Sequence, residues 1–379
     1  MIMANNNENK ILNVPHLRFP EFSGEWKKCK LGDLCNVLMC KRILVSQTNT
    51  EDGVPFYKIG TIGSTPDAYI SKELFDDYKV KYNYPRKGEV MITCAGTVGK
   101  CVVYDGEDAY FQDSNIVWID NPTQYISNGF LFHLLSKVDW RKLNSTTIIR
   151  IYNDDLRNLK MSYPRKEEQQ KISHLLSLLD ERIATQNKII EDLKKLKSAI
   201  SERLFNAIKG DVVVLEDIGD VVKGKQINGE FLSESGKYYV MNGGIEPSGF
   251  YNDYNVEANT ISISEGGNSC GYVQFNACPF WSGGHCYTIQ NTTDNVKTEY
   301  LYQFLKSKES EIMKLRIGSG LPNIQKKDLA KFKITIPNIS EQKVISAFLS
   351  SFERKADVEM NFVNLLLEEK QYLLRQMFI

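Results

Sequence analysis

The sequence has no excess of charge of either sign, because 47 lysines and arginines balance 47 aspartates and glutamates. A positive field over the whole chain is therefore excluded, and any DNA-binding surface has to be a local patch. No run approaches the ~18 consecutive apolar residues that span a bilayer. We expect a soluble protein, and a length of 379 residues predicts two domains.

Metal-ligand spacings and disulfide patterns are also missing. The eight cysteines form no CxxC pair, so we expect reduced thiols in a cytoplasmic protein. The four histidines share no ligand spacing, and we predict neither a metal site nor a cofactor. The polar start, MIMANNNENK, lacks the apolar core of a signal peptide, and we expect residues 1–16 to be a disordered extension.

Catalytic motifs are equally scarce. The stretch CAGTVGKC fails as a phosphate-binding loop, because Cys94 replaces the first glycine and Cys101 replaces the Ser or Thr that holds magnesium. His285 and Cys286 are neighbours on a predicted strand, so their side chains point to opposite faces and do not form a base and nucleophile. We predict that the chain is not an enzyme.

The sequence does contain a long internal repeat. PRKEEQQKIS at residues 164–173 matches PNISEQKVIS at residues 337–346, 173 positions later and without a gap. Each phrase opens a segment whose apolar residues alternate spacings of four and three, the pattern of a coiled-coil helix. Proline is tolerated at the start of a helix and not inside it. We therefore predict long helices at residues 164–209 and 337–379.

Each predicted helix has a seam of ten positions, of which eight are apolar. We expect the two seams to pair as an antiparallel coiled coil; the alternative is that each helix packs on its own globular domain. The seam positions are Ile172, Leu176, Leu179, Ile183, Gln186, Ile190, Leu193, Lys197, Ile200 and Leu204 in the first helix, and Ile345, Leu349, Phe352, Ala356, Glu359, Val363, Leu366, Lys370, Leu373 and Met377 in the second.

The polar seam positions suggest a register. If Lys197 faces Glu359 and Gln186 faces Lys370, both pairs of position numbers sum to 556 and all four polar residues are matched. The alternative is that both lysines extend outward and leave the register unspecified.

The repeat continues faintly upstream of each helix. KLGDLCNV at residues 30–37 matches VLEDIGDV at residues 214–221. Short β-branched and aromatic runs, broken by Gly and Asn, predict strands in both halves. We therefore predict an α+β protein with globular halves at residues 17–163 and 210–336, which diverge most in their middle parts.

These phrases together resemble the specificity subunits of type I restriction-modification systems, over residues 17–379. The resemblance implies two target recognition domains in a pseudo-two-fold arrangement, joined by the antiparallel coiled coil and each gripping one part of a split double-stranded DNA target. It implies two modification (methyltransferase) subunits and the restriction (translocase and endonuclease) subunits as partners. The motifs that carry it are the two proline-to-EQ openings (Pro164, Glu168, Gln169 and Pro337, Glu341, Gln342), the paired LGDL and LEDI, and LRFPEFSGEWKKCKLGDL.

Base recognition needs directional donors and acceptors on rigid supports, with cations on the phosphates. For any single residue, a role as a turn former or a solvated surface group is an equal alternative. A coiled-coil scaffold with two protein-binding heads and no role on DNA is the alternative function. The candidates for DNA binding are Lys41, Arg42, Lys58, Thr97, Lys100, Arg150 and Asn153 in the first half, and Lys223, Lys225, Asn242, Asn268, Ser269, Arg316, Ser319 and Asn323 in the second.

Overall fold

A computed structural model describes residues 2–3, 12–143, 150–318, 320 and 322–379. The candidate Ser319 and most of the predicted extension at residues 1–16 lie outside the described residues. The chain divides into two compact units. The first consists of Met1–Thr185 together with Phe362–Ile379, and the second is Gln186–Asn361.

The first unit contains a globular domain and parts of both long helices. Its strands are β1 (Ile2–Met3), β2 (Leu17–Arg18), β3 (Lys27–Lys30), β4 (Asn36–Leu38), β5 (Val54–Tyr57), β6 (Tyr69–Ile70), β7 (Val90–Thr93), β8 (Cys101–Val103), β9 (Tyr110–Phe111), β10 (Ile116–Asp120) and β11 (Lys160–Tyr163). Its helices are α1 (Lys72–Lys81), α2 (Asn128–Lys137), α3 (Trp140–Leu143), α4 (Asn153–Arg157) and the first part of α5 (Lys166–Ala207), with 3₁₀ turns at Leu31–Asp33 and Val45–Gln47.

The second unit is similar, with nine described strands against the eleven of the first, and it also contains the last part of α5. Its strands are β12 (Asp211–Val214), β13 (Asp220–Lys223), β14 (Tyr238–Met241), β15 (Phe250–Tyr251), β16 (Thr260–Ser264), β17 (Val273–Asn276), β18 (Trp281–Ser282), β19 (Cys286–Gln290) and β20 (Lys333–Ile336). Its helices are α6 (Leu215–Ile218), α7 (Thr298–Ser307), α8 (Glu309–Met313), α9 (Lys326–Ala330) and the first part of α10 (Ile339–Met377), with a 3₁₀ turn at Gly229–Phe231.

The two domains have the same sheet topology. The first has a four-stranded antiparallel sheet in the order β4-β10-β7-β8, and the second has β13-β19-β16-β17. A three-stranded sheet follows the same rule in both, β6-β5-β9 and β15-β14-β18, with one parallel pair in each. The strands β3 and β11 form a two-stranded sheet, as do β12 and β20. The predicted α+β class with two similar domains and two long helices is confirmed.

The central strands of the four-stranded sheets are buried on both faces. All four residues of β7 (VMIT) are buried, as are all five of β16 (TISIS). In β16 the buried residues alternate between polar and apolar, and the Ser262 hydroxyl accepts a hydrogen bond from the Asn276 side chain (2.9 Å). The two domains differ in the connection from the three-stranded to the four-stranded sheet. In the first domain this connection contains helix α1, between β6 and β7, whereas in the second it consists of residues 252–259 between β15 and β16.

The glutamine of each EQ phrase explains why the phrase is repeated. The Gln169 side chain accepts a hydrogen bond from the backbone N–H of Ser127 (2.7 Å) and donates to the carbonyl of Pro164 (3.0 Å). The Gln342 side chain accepts from the N–H of Lys297 (2.8 Å) and donates to the carbonyl of Pro337 (2.9 Å). Each buried amide therefore fixes the start of a long helix against the start of α2 or α7.

Both long helices pack into the domain cores. In the first unit, Ile172 and Leu176 of α5 share the core with Met377 of α10. The ring of Phe378 lies 4.8 Å from that of Phe130 and 6.4 Å from that of Trp26, measured between centroids. In the second unit, the core includes Phe205 of α5 and Leu349 of α10. All twenty predicted seam positions are buried or half-buried.

The predicted register is wrong by about one heptad. In the second unit, Lys197 forms an ion pair with Glu353 (2.7 Å), and Gln186 contacts Glu359. In the first unit, Lys370 forms an ion pair with Asp180. Both ion pairs have position numbers that sum to 550, against the predicted 556.

The cause of the error is the reach of lysine. Asp180 and Glu353 each stand one position after a predicted seam residue, and the lysine stem runs along the seam while its ammonium group reaches the neighbouring carboxylate. Asp180 and Glu353 are 173 positions apart, as are Lys197 and Lys370. The repeat therefore builds the same lysine–carboxylate pair once in each unit.

A polar side chain from the globular domain lies beside each of these pairs. In the second unit, the side chain of Gln303 in α7 donates to Glu353 (2.9 Å). In the first unit, His133 in α2 is buried, and burial lowers its pKa to about 4, against an opposing effect of Asp180. Helix α2 corresponds to α7, so His133 and Gln303 occupy equivalent places.

Two further observations bear on the ends and the surroundings of the fold. Asn13, within the predicted extension, is buried, and its side chain donates to the carbonyl of Trp26 (2.6 Å). Among the helices that the structure describes, none is long and apolar enough to cross a membrane.

Candidate nucleic-acid interface

Loops of the first domain meet around the connection between β9 and β10, at a point we call the loop junction. The N–H of Cys94 donates to the carbonyl of Asn115 (2.7 Å), and its carbonyl accepts from the N–H of Ile151 (2.9 Å). The N–H of Gln112 donates to the carbonyl of Tyr57 (2.9 Å). Backbone hydrogen bonds therefore hold the loops after β5 and β7 and the segment before α4 together, whatever their side chains are.

Four of the seven first-domain candidates line clefts at this junction. Arg42 and Lys58 line a cleft of about 390 Å³. Arg150 and Asn153 line a neighbouring groove of about 340 Å³. Ser114 lines both, and its carbonyl accepts a hydrogen bond from the Arg150 guanidinium (3.2 Å).

The cations of the first cleft are held by carboxylates. Arg42 forms an ion pair with Asp113 (2.8 Å), and Lys58 forms one with Asp67 (3.0 Å). In each pair one side chain, Arg42 or Asp67, is more than half exposed, so the pairs are partly solvated and weak, and a phosphate or a base edge can displace the carboxylate. The carboxylates orient the cations at the surface.

The remaining first-domain candidates have other surroundings. The Lys100 ammonium donates to the carbonyl of Ile62 (2.5 Å), which ties the β7–β8 turn to the loop after β5. Lys41 lies over the ring of Tyr82 at 5.3 Å from the centroid. Thr97 is exposed at the β7–β8 turn. Lys41 and Lys100 therefore already have partners within the domain.

The second domain builds the same junction from different residues. The N–H of Glu265 donates to the carbonyl of His285 (2.9 Å), and its carbonyl accepts from the N–H of Ile324 (2.8 Å). The N–H of Gly283 donates to the carbonyl of Met241 (2.8 Å). These bonds join the equivalent strand ends, so Glu265 stands where the first domain has Cys94.

The shared bonds place candidates of the two domains in equivalent positions. Lys58 follows Tyr57 at the end of β5, as Asn242 follows Met241 at the end of β14. Arg150 precedes Ile151, as Asn323 precedes Ile324. Two cations of the first domain therefore correspond in position to two amides of the second: Lys58 to Asn242, and Arg150 to Asn323.

A buried carboxylate organises the second junction. Glu265 accepts hydrogen bonds from the Lys223 ammonium (2.7 Å) and the Tyr287 hydroxyl (3.0 Å), and it lies 3.7 Å from Nδ1 of His285. Burial, followed by the hydrogen bond to Glu265, raises the pKa of Tyr287. Glu265 was not among the residues predicted from the sequence; the available signal was an acidic residue between the β-branched strand β16 and two glycines.

The other second-domain candidates lie along the same surface. The Asn242 side-chain oxygen accepts from the N–H of His285 (3.1 Å). Asn323 and Ile317 exchange two backbone hydrogen bonds (3.0 and 2.8 Å), next to the exposed Arg316. Lys225 and Asn268 are exposed and Ser269 is half-buried. The assignment of individual residues to DNA stays a prediction.

Burial keeps two thiols near the first junction in their neutral form. Burial raises the pKa of Cys94 and of Cys101 to about 12, so both thiols stay protonated at neutral pH. Within the described part of the chain, no group of three His, Cys, Asp or Glu side chains is arranged to hold a metal ion.

A family comparison decides the assignment. The family model for the type I restriction modification DNA specificity domain matches residues 23–195 and again residues 209–366. The chain belongs to this family. The two matches correspond to the two domains with the helical segments that follow them, so the type I specificity domain occurs twice in this chain.

Individual relatives of this specificity protein agree with the family. A putative type I restriction enzyme specificity subunit of Haemophilus influenzae is 46% identical over 48% of this chain and 45% of the relative, so the alignment spans less than half of either protein. The putative type I restriction enzyme MjaX specificity subunit of Methanocaldococcus jannaschii is 22% identical over 92% of this chain and 91% of the relative. The crystal structure of a type I restriction-modification S subunit from M. genitalium has the same fold, with a TM-score of 0.63, 20% identity and coverage of 97% of this chain and 99% of that chain.

Proposed function

We propose that this chain is a non-catalytic subunit that recognises a bipartite sequence in double-stranded DNA, with one domain for each part of the target. The observation that carries the proposal is the pair of loop junctions. They share their backbone hydrogen bonds and differ in the side chains at equivalent positions. A frame held by backbone bonds can present different side chains to different base sequences without refolding.

The side chains at the two junctions suit different bases. Arginine and lysine pair with the two acceptors on the major-groove edge of guanine, whereas asparagine pairs with the donor and acceptor of adenine. The first domain offers Lys58 and Arg150, and the second offers Asn242 and Asn323 at the equivalent places. We therefore expect the two parts of the target to differ in sequence.

In this proposal the chain directs enzymes and performs no chemistry itself. The partners are two modification subunits, which transfer methyl groups, and the restriction subunits, which translocate and cut DNA. The relatives described above are named as specificity subunits of type I restriction enzymes, which supports this division of labour.

A salt titration separates this function from a protein-binding scaffold. Cations that contact phosphates release counterions, so the logarithm of the binding constant for random duplex DNA should fall linearly with the logarithm of the salt concentration. A response that stays flat between roughly 50 and 200 mM salt would favour the scaffold.

Reconstitution tests the division of labour. The purified chain should bind DNA without methylating or cutting it. Together with the modification subunit of its own host and S-adenosylmethionine, it should direct adenine methylation to one bipartite sequence. Methyl transfer by the isolated chain would contradict the proposal.

A further inference from the structure

Each domain exposes apolar side chains at the tip of the loop that follows the first strand of its four-stranded sheet. In the first domain, Leu44 is 57% exposed and Val45 is 88% exposed. In the second, Phe231 is 65% exposed. We call these residues the apolar tips. Single exposed apolar side chains are common on protein surfaces, so the position and the surroundings of the apolar tips carry the argument, and their exposure alone does not.

The apolar tips lie at equivalent turns of the two domains, although not at the same position of the turn. Leu44 precedes and Val45 begins the 3₁₀ turn Val45–Gln47, whereas Phe231 ends the turn Gly229–Phe231. After the turn, an isolated bridge joins Asn49 to Tyr69 of β6, and the corresponding bridge joins Ser233 to Phe250 of β15. The same turn with the same bridge therefore presents an apolar side chain at the same place of each domain's fold, but from a different position of the turn.

The turn that carries the first tip is rigid. The side chain of Gln47 accepts from the backbone N–H of Leu44 (2.9 Å), and the hydroxyl of Thr48 donates to the carbonyl of Val45 (2.8 Å). Polar atoms are thus satisfied within the turn while the apolar side chains face outward. A rigid turn presents these side chains in a fixed position, as recognition requires.

The surroundings of the first tip identify its partner. Leu44 and Val45 line the same cleft as the cations Arg42 and Lys58. A surface that combines cations with an apolar projection matches duplex DNA, whose phosphates flank the grooves and whose base edges carry apolar groups such as the thymine methyl.

We propose that Leu44 and Val45 in the first domain, and Phe231 in the second, contact base edges and help to determine which sequence each domain selects. This inference rests on the proposed function and deepens it, because it assigns sequence selection to apolar contacts in addition to the polar candidates. Phosphate binding, and with it the salt dependence, is assigned to other residues.

The test removes each tip and compares it with an equally exposed residue elsewhere. The double variant Leu44→Ser/Val45→Ser has Val80→Ser as its control, because Val80 is 85% exposed on α1 of the same domain. Phe231→Ser has Val212→Ser as its control, because Val212 is also 65% exposed. Each full-length variant, in complex with the modification subunit, selects duplexes from a randomised library.

The first-domain double variant should lose discrimination, by roughly fivefold or more, at one or two base positions of one part of the target. Phe231→Ser should do the same in the other part, and both controls should select the wild-type sequence. Affinity for random DNA and the thermal unfolding curves should stay unchanged, because the replaced side chains are exposed.

Two results would overturn the inference. Either both tip variants select the wild-type sequence with full discrimination, or they lose affinity equally for all sequences, which would indicate a contact to the DNA backbone. A wild-type complex that selects no sequence at all would instead overturn the proposed function, and this inference with it.

Discussion

The two loop junctions differ in one central residue and agree in the bonds around it. Cys94 and Glu265 each donate to the carbonyl of the residue before β10 or β19 and accept from the segment before α4 or α9. A buried thiol and a buried carboxylate therefore fit the same backbone frame. The comparison indicates that backbone hydrogen bonds hold each loop junction together. The side chains at the junction can therefore differ from one target sequence to another without loss of these bonds.

The difference also changes how each surface is organised. In the second domain, the carboxylate of Glu265 positions Lys223 from inside the junction. In the first domain, Cys94 offers no charge, and the carboxylate comes from the loop itself, where Asp113 holds Arg42. Each domain thus supplies an acidic partner for its cations, but from a different place in the frame.

The largest effect is expected from exchanging one domain. Replacing residues 210–336 with the equivalent segment of a relative should change one part of the methylated sequence and leave the other part intact. The incoming segment has to keep the core contacts with Phe205 and Leu349 of the long helices. Sequencing of methylated DNA from the host measures the result. Loss of both parts would show that the domains are not independent.

A large loss of stability is expected in the first unit from Phe378→Ala. The side chain is buried against Trp26 and Phe130, so its removal should cost about 3–5 kcal/mol of unfolding free energy. Hydrogen exchange should show lost protection in the first unit and unchanged protection in the second. The control is Phe362→Ala in α10, the helix that ends just before Phe378, because the Phe362 side chain is 36% exposed; equal effects of the two variants would contradict the assignment.

Acid should destabilise the first unit through His133. Its pKa of about 4 in the folded state lies below the ordinary value of 6.5, so the unfolded chain binds the proton more tightly. His133 does not lower the free energy of unfolding above pH 6.5. As the pH drops from 6.5 towards 4, protonation of this residue in the unfolded chain lowers that free energy by up to about 3 kcal/mol.

The variant His133→Gln sharpens this comparison, because it gives the first unit the residue that the second has in Gln303. The pH dependence assigned to His133 should then disappear from denaturation curves of the first unit, measured between pH 7 and 4. If the wild type and the variant show the same pH dependence, His133 is not responsible for it.

The smallest effect is expected for the lysine–carboxylate pairs. A double-mutant cycle with Lys197→Met and Glu353→Gln should give a coupling energy of about 1 kcal/mol, because the pair is only partly shielded from water. The cycle with Lys370→Met and Asp180→Asn should give a similar value if the repeat is energetically equivalent. A coupling energy between Lys197 and Glu359, with none between Lys197 and Glu353, would instead support the predicted register in which paired position numbers sum to 556.

The sequence predicted the helices well because their signal is local and repeated. Apolar spacing and a proline at each start are visible without tertiary information. The register was missed because a lysine in a seam can choose any carboxylate within reach of its stem. The repeat did contain a signal for the observed pairing. Asp180 and Glu353 are 173 positions apart, as are the two seam lysines.

The loop junctions could not be predicted from the sequence, for a different reason. Cys94 and Ile151 are far apart along the chain, and only the sheet brings them within hydrogen-bond distance. Glu265 looks like an ordinary turn residue until Lys223 and Tyr287 are placed beside it. Candidate residue types were predictable, whereas their correspondence between the domains required the fold.

The position of Phe362–Ile379 within the first unit has a consequence for biosynthesis. A ribosome releases residues 12–185 long before these residues, and the whole of Gln186–Asn361 is made in between. The second unit is continuous in sequence and can complete its core first, although it is translated later. Until Phe378 is synthesised, Trp26 and Phe130 of the first domain lack their contact with it and stay exposed to solvent. During this interval the first domain is the part of the chain that most needs a chaperone.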